Sequence, residues 1–319
     1  MSTNSSALPA GRHRSGSTAR RRWGTRRLLT TGAATALAAV TAIGLAGPAA
    51  ATTPMYFGSV GGGYQQAQAN TSQAIANHAY AKFGSSVPTA RMITVEASGV
   101  SWRTVANAGP GSTLYNQIVH WAQTIKARGG HIMVDYNHEP EANVGPSRGS
   151  AADFIAAWRH VVTIFRNQGV KNVEWTWQMT AYAFRVSPSS PQYAAKWYPG
   201  DAYVDNVGGD AYNWNTCGVG SGKYNELKFL GDPVLAFARA HHKAASFPEF
   251  GDNQDSRRPQ WLDNAHQYFL QNQDVLSAAF YFNRPPTVKA NNDCHWALST
   301  SADWAAFNRI ANDRTHFTS

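Results

Sequence analysis

Cysteine is scarce in this sequence: Cys217 and Cys294 are the only two among 319 residues. So few exclude a disulfide-dense scaffold, and the lack of CxxC or multi-cysteine spacing excludes the common structural zinc sites. Charged residues make up only 15% of the chain, and Asp and Glu are missing altogether from residues 1–51. Seven of the 28 Lys and Arg residues fall in that segment, which leaves 21 basic against 19 acidic residues in the remainder. The remainder is therefore close to neutral and carries no nucleic-acid footprint. A long, strongly apolar run is also missing. The stretch from Leu28 to Leu45 is weakly apolar and broken by Gly32 and Gly44, which argues against a retained membrane anchor. No Ser/Pro/Thr-rich linker divides the chain. Gly61-Gly62-Gly63 does not fit G-x-G-x-x-G, so no dinucleotide site is expected, only a loop of little bulk. His241 and His242 are adjacent on a predicted helix and point apart, which argues against a shared metal. No cofactor and no metal are expected.

The first 51 residues read as a secretory signal peptide: arginine-rich, then weakly apolar, then small residues at Ala49-Ala50-Ala51. Thr25-Arg26-Arg27-Leu28-Leu29 resembles a twin-arginine signal, with an ordinary Sec signal as the alternative. Export makes one disulfide between Cys217 and Cys294 the favoured reading of an even count, and two separate thiols the other. Residues 52–319 then form one secreted, extracellular domain, expected to be monomeric. Their number suits a single (β/α)8 barrel of roughly 250 residues.

Short apolar runs alternate with amphipathic stretches along this domain. Met55–Val60 reads as a first strand, and residues 66–83 look helical but weakly patterned. The second strand falls near 78–83 or 86–89, and Met92–Val95 is the third. Ser112 caps a helix whose Leu114, Ile118, Trp121, Ala122 and Ile125 form one stripe. The fourth strand lies at 131–136. Ser150 and Asp153 start a helix with Phe154, Ala157, Trp158, Val161, Val162 and Phe165 on one face. Further strands are predicted at 173–177, 204–208, 244–248 and 277–282, and further helices near 228–242, 258–271 and 302–312. Repeated strand–helix units imply parallel strands. A doubly wound open sheet is the alternative, but it leaves two well-placed glutamates unexplained.

Those glutamates are Glu139, after the fourth strand in His138-Glu139-Pro140-Glu141, and Glu249, after the seventh in Pro248-Glu249-Phe250-Gly251. In a β/α barrel both sit on the face that carries the chemistry. Two converging carboxylates are the minimum equipment for cleaving a glycosidic bond, about 5–5.5 Å apart where configuration is retained. Surface placement of both is the bland alternative. Glu141 is expected to face solvent or to support Glu139. Glu174 and Asp205, inside strands, are expected to pair with Arg or Lys at the barrel's base.

The segments "NHEPE", "WYPGDAYVDNVGGDAYNW", "PEFGDN" and "YFN…CHWALS" resemble glycoside hydrolase family 26, the β-mannanase family, over nearly all of 55–312. The resemblance is strongest from Trp121 onward and weak over 64–90. It implies a clan A (β/α)8 barrel with Glu139 as acid/base and Glu249 as nucleophile. It implies that His138 lies in the sugar site, with a structural role at the strand end as the competing view. A tyrosine supporting the nucleophile is also implied, matched by Tyr212 or by Tyr203. Asp210 ends the sixth strand beside Tyr212 and joins the substrate-binding candidates. Trp177, Trp214 and Trp296 lie near strand ends, where exposed rings can stack on sugar C–H faces. Trp102 follows the third strand and is a further candidate, while Trp121 and Trp158 are read as core. The expected function is a secreted retaining endo-β-1,4-mannanase whose partner is a β-linked polysaccharide. The alternatives are a retaining hydrolase of mixed-linkage β-glucan or β-1,3-xylan, and a non-catalytic polysaccharide-binding barrel.

Overall fold

β-Branched and aromatic residues make up half or more of the runs at 55–60, 92–96, 132–136 and 173–180 that become strands, and helical stripes of Leu, Ile, Trp and Ala cover the sheet. The computed structural model describes residues 53–142, 147–284 and 294–319. The expected signal peptide, at 1–51, lies outside the described residues. In chain order the elements are β1 (Met55–Val60), α1 (Gly63–Ala69), β2 (Ala76–Lys82), β3 (Met92–Glu96), α2 (Trp102–Ala106), α3 (Thr113–Arg128), β4 (Ile132–Tyr136), α4 (Ala151–Asn167), β5 (Val173–Thr180), β6 (Asn206–Asn213), α5 (Leu227–Ala240), β7 (Ala244–Asp252), α6 (Arg258–Gln271), β8 (Leu276–Tyr281), α7 (Ser301–Ala311) and β9 (Phe317–Thr318). Strands β1 to β8 pair in order and in parallel, and β8 pairs back with β1. The sheet is closed. This is a (β/α)8 barrel, and the open doubly wound alternative is excluded. Short β9 adds to β1 at Met55 and Tyr56.

Local chemistry sets the helix starts. Ser112 accepts from the Tyr115 amide, and Ser150 and Asp153 form a reciprocal capping box. The region 66–83 departs from its helical expectation: α1 stops at Ala69, and Ala76–Lys82 is the second strand, which agrees with the placement near 78–83 and not with 86–89. Tertiary pairing on both sides, with β1 and β3, overrides a weak helical pattern there.

Alternation along the strands sorts side chains into two layers. Outward residues such as Phe57, Ile93, Val134, Trp175, Trp177 and Phe247 join one large core with the helices, where Trp121 and Trp158 are also fully buried. Inward residues Val60, Ala76, Met92, Met133, Ala278 and Phe280 make a small apolar plug. Further along the same inward faces the residues turn polar: His78, Thr94, Asp135, Gln178 and Asp210. Below, Glu174 pairs with His131 at 2.8 Å rather than with Arg or Lys, and Asp205 accepts from the Trp175 amide.

Candidate functional site

Inward alternation delivers Tyr80, Glu96, Asp210 and Tyr212 to the C-terminal mouth of the barrel. Strict alternation would not deliver Glu249. Phe247 and Phe250 both face outward into the core, so Glu249 would share the outward face with Phe247. A bulge changes this. Phe247 aligns with Ala279 and Phe250 with Tyr281, so three steps on β7 match two on β8. The extra residue at Pro248-Glu249 turns the carboxylate into the barrel. Pro248 has no N–H for the ladder, which makes it a natural bulge residue. Gly208 on β6 makes room for it, since a Cβ there would lie 2.7 Å from the proline ring.

Glu249 is nearly buried and accepts on both oxygens: from the Tyr80 hydroxyl on one, and from the Tyr212 hydroxyl at 2.5 Å on the other. Burial, foremost, and the Glu249 charge hold both phenols well above their usual range, so both stay protonated donors. Tyr212, not Tyr203, therefore holds this carboxylate. Tyr203 lies before β6, its carbonyl accepting from Trp158 and its ring under Arg159.

Glu139 reaches the same mouth from β4. Burial, foremost, and then the charges of Glu249 and Glu141 push its carboxyl up to about 8, against a hydrogen bond with Asp210 that favours ionisation. Glu139 is thus protonated at neutral pH. Asp210 is also driven well above the usual carboxylate range, by burial and by the Glu249 and Glu139 charges, while Gln178 donates to both its oxygens. The Gln178 carbonyl also accepts from the Glu139 amide at 3.0 Å. The backbone around Glu139 is strained. Asn137 and Glu139 have φ of 61° and 46° without being glycine, which costs of order 1–3 kcal/mol each. Glu141 does not face solvent. It is fully buried, accepts from the Thr180 amide and hydroxyl, and is pushed by burial up to about 7.

His78 lies beneath this pair. Burial takes its pKa down to about 4, so it is neutral. Its Nδ1 must donate to the Pro248 carbonyl at 2.9 Å, which leaves Nε2 to accept from Thr94. The peptide carrying Glu249 is therefore tied directly to β2 and, through the imidazole, to β3.

The remaining predicted site residues divide in two. His138 is half-buried, its ring 5.2 Å from Tyr80, and lines a cleft of about 460 Å³ with Glu139, Asn137, Glu96, Gly99 and Arg148. Trp214 and Trp296 form an edge-to-face pair at 5.3 Å, and Trp296 lies 4.7 Å from the Tyr212 ring. The Cys217–Cys294 disulfide, with Cα atoms 5.1 Å apart, is packed into this aromatic wall. Trp177 and Trp102 require correction. Trp177 alternates with inward Gln178, so it points outward and is fully buried against Phe184, Tyr198 and Phe237. Trp102 is fully buried as the first residue of α2, against Phe154 and Trp197. Neither ring can stack on a ligand in the cleft.

Three participants escaped the sequence reading. Tyr80 lay where the helical stretch 66–83 and the candidate strand 78–83 overlapped, and the two-residue spacing of His78 and Tyr80 was its one visible signal. Gln178 and Arg148 act through distant partners, which no local pattern reveals. Among the described residues no His, Cys, Asp and Glu grouping could hold a metal ion, and no helix is long and apolar enough to cross a membrane.

Comparison with known proteins agrees with the barrel fold. Endoglucanase H of Acetivibrio thermocellus is 28% identical over 208 residues, 61% of this chain and 21% of that protein. Beta-1,3-xylanase TXYA of a Vibrio species is 26% identical over 178 residues, 51% of this chain and 35% of that protein. The chain thus spans about a fifth to a third of the length of these relatives. Among solved structures, a GH26 β-mannanase from Bacteroides ovatus shares the fold at TM-score 0.54 and 12% identity, covering 83% of this chain and 90% of that one. The catalytic domain of the GH26 endo-β-1,4-mannanase of Bacillus sp. JAMB-750 does so at 0.54 and 14%, covering 84% and 88%. The family model for glycosyl hydrolase family 26 matches residues 114–292, more than half of the sequence. The chain belongs to glycosyl hydrolase family 26.

Proposed function

We propose that this protein is a secreted, retaining endo-β-glycanase in which Glu249 is the nucleophile and Glu139 the acid/base. One observation carries the reading. A carboxyl that accepts a tyrosine hydroxyl on each oxygen shares a barrel mouth with a second carboxyl whose pKa burial raises to about 8. Glycoside hydrolysis needs this division of labour, and retention is what the resemblance to the family adds. Glu139 protonates the leaving oxygen while Glu249 attacks the anomeric carbon. Glycosylation then removes the Glu249 charge, one cause of the raised Glu139 pKa, so Glu139 can take a proton from the incoming water. His138, Asp210, Tyr212, Trp214 and Trp296 are the proposed sugar-binding or supporting groups. A non-catalytic binding barrel has no need of a proton donor opposite a fixed nucleophile.

The substrate has two readings. The family resemblance points to β-1,4-mannan. The relatives that match by sequence are named for β-1,3-xylan and glucan cleavage, and the mannanase likenesses, at 12–14% identity, carry the fold alone. We therefore put β-1,3-xylan or β-glucan first and mannan second. Residues 1–51 are proposed as the export signal, leaving 52–319 as one monomeric catalytic domain. Product analysis on β-1,3-xylan, mixed-linkage β-glucan and mannan tests the substrate, and oligosaccharides rather than monosaccharides are expected first. Release from mannan alone reverses the order given, and release from none returns the binding barrel. Glu139→Ala tests the roles: an activated aryl glycoside should still be cleaved, with azide restoring turnover as the β-glycosyl azide. An α-azide would mean inversion.

A further inference from the structure

We infer that Arg148 is a positioning residue for Glu139: through Asn137 it fixes the left-handed backbone turn that delivers the Glu139 carboxyl to the cleft. This rests on the reading of Glu139 as acid/base. Asn137 is almost fully buried, and its side-chain oxygen is gripped from two directions. Arg148 donates from Nη2, and Trp102 donates from Nε1 at 3.2 Å. Its backbone amide is fixed to the Val95 carbonyl at 3.0 Å.

Arg148 is itself braced on the loop that follows β3. Its Nη1 donates to the carbonyls of Ala97 and Val100, at 3.2 and 3.3 Å, and its Nη2 pairs with Glu96 at 3.0 Å. Its guanidinium carbon lies 5.6 Å from the centre of a Trp102 ring, and its carbonyl accepts from the Trp102 amide at 2.8 Å. One planar five-donor group thus joins the β3 loop, the end of β4 and the segment leading into α4. Lysine could keep the charge but not this fork. The arrangement gives buried Trp102 a use away from sugar: it anchors the same oxygen as Arg148.

The left-handed conformation at Asn137 is unfavourable for a residue with a side chain, and it persists because its surroundings over-determine it. Released, the backbone at 137 relaxes, and Glu139, two residues on, leaves the line of the leaving oxygen. Misplacement on the scale of 1 Å costs about 100-fold in rate where geometry matters. A misplaced acid hurts most where the leaving group needs its proton.

The experiment compares Arg148→Lys and Trp102→Phe with the unaltered enzyme, reading kcat/KM for dinitrophenyl, nitrophenyl and phenyl β-cellobiosides, β-mannobiosides and β-xylobiosides. Trp102→Phe removes the N–H together with part of a buried ring, and it tests the second donor to Asn137 where Arg148→Lys fails to fold. Dinitrophenyl substrates should change by no more than about threefold, and phenyl substrates should lose about 30- to 100-fold. A loss equal across the three leaving groups would mean a merely structural role and overturns the inference. So does a loss confined to KM, which would mean that Arg148 touches the substrate. Glu139→Ala runs in parallel. If it fails to spare the dinitrophenyl substrates, the acid/base reading falls and this inference with it. A normal Glu139→Ala beside a uniform loss in the Arg148 variant removes the inference alone.

Discussion

Replacing Glu139 by glutamine should make the protein more stable at neutral pH and no more stable in acid. The folded pKa of this carboxyl is about 8, against an ordinary 4.5. A folded-state pKa raised above the unfolded value gives stability that is complete below about 4.5 and lost as the pH rises towards 8. At pH 7 the folded protein still holds the proton about nine-tenths of the time, whereas the unfolded chain has released it. The difference, 2.5 pH units above 4.5, is on the order of 3 kcal/mol of stability given up for the protonated acid. Glutamine is neutral in both states, so Glu139→Gln removes the penalty while keeping the shape. For a domain of this size that is roughly 5–10 °C in melting temperature at pH 7. The assay is a thermal melt of both proteins at pH 4 and pH 7. A gain at pH 7 that disappears at pH 4 supports the argument. Equal differences at both pH values, or a less stable variant at pH 7, would refute it. The same ionisation should appear in catalysis as a basic limb of kcat/KM near pH 8, absent when Glu139 is replaced.

Glu249→Ala should abolish turnover on every substrate, activated ones included, because nothing else can form the glycosyl intermediate; retention of more than a small fraction contradicts the role. Tyr212→Phe removes one charge-assisted donor to Glu249, worth about 1.5–3 kcal/mol, so kcat/KM should fall about 10- to 150-fold. Tyr80→Phe should fall similarly, and an unchanged rate in both would show that Glu249 is held by other means. Reducing the Cys217–Cys294 bond opens a 77-residue loop, which chain entropy values at about 4 kcal/mol. Melting should drop, and polysaccharide binding should weaken more than cleavage of a small activated substrate. An unchanged melt after verified reduction removes the stabilising role.

Most barrel elements announced themselves locally. Ser112 with its apolar stripe, and the capping box of Ser150 and Asp153, set α3 and α4 to within a residue, because caps and periodicity act over one or two helical turns. β2 did not. Its residues 76–82 carry small and polar side chains whose burial depends on β1 and β3 pairing on either side. With β2 left open between 78–83 and 86–89, Tyr80 was not singled out, and with it half of the grip on Glu249. Trp102 and Trp177 were misassigned for a related reason. Proximity to a strand end says nothing about which face a ring takes, and for Trp177 a single alternation step against Gln178 decides it.

The sequence by itself determined a parallel β/α alternation, the identity of the two carboxyls, one just past β4 and one inside β7, which runs on to Asp252, and the cysteine pair available for bonding. These depend on residue type and short spacing. Only the tertiary structure decided how the carboxyls differ. The bulge at Pro248-Glu249 is a register fact between β7 and its neighbours, and it turns Glu249 inward to meet two tyrosines from β2 and β6. The proton on Glu139 comes from burial and from charges on Glu249 and Glu141, the first of them from a distant strand. Desolvation and Coulomb interaction act through space, so a pKa belongs to the assembled mouth of the barrel and not to any stretch of sequence.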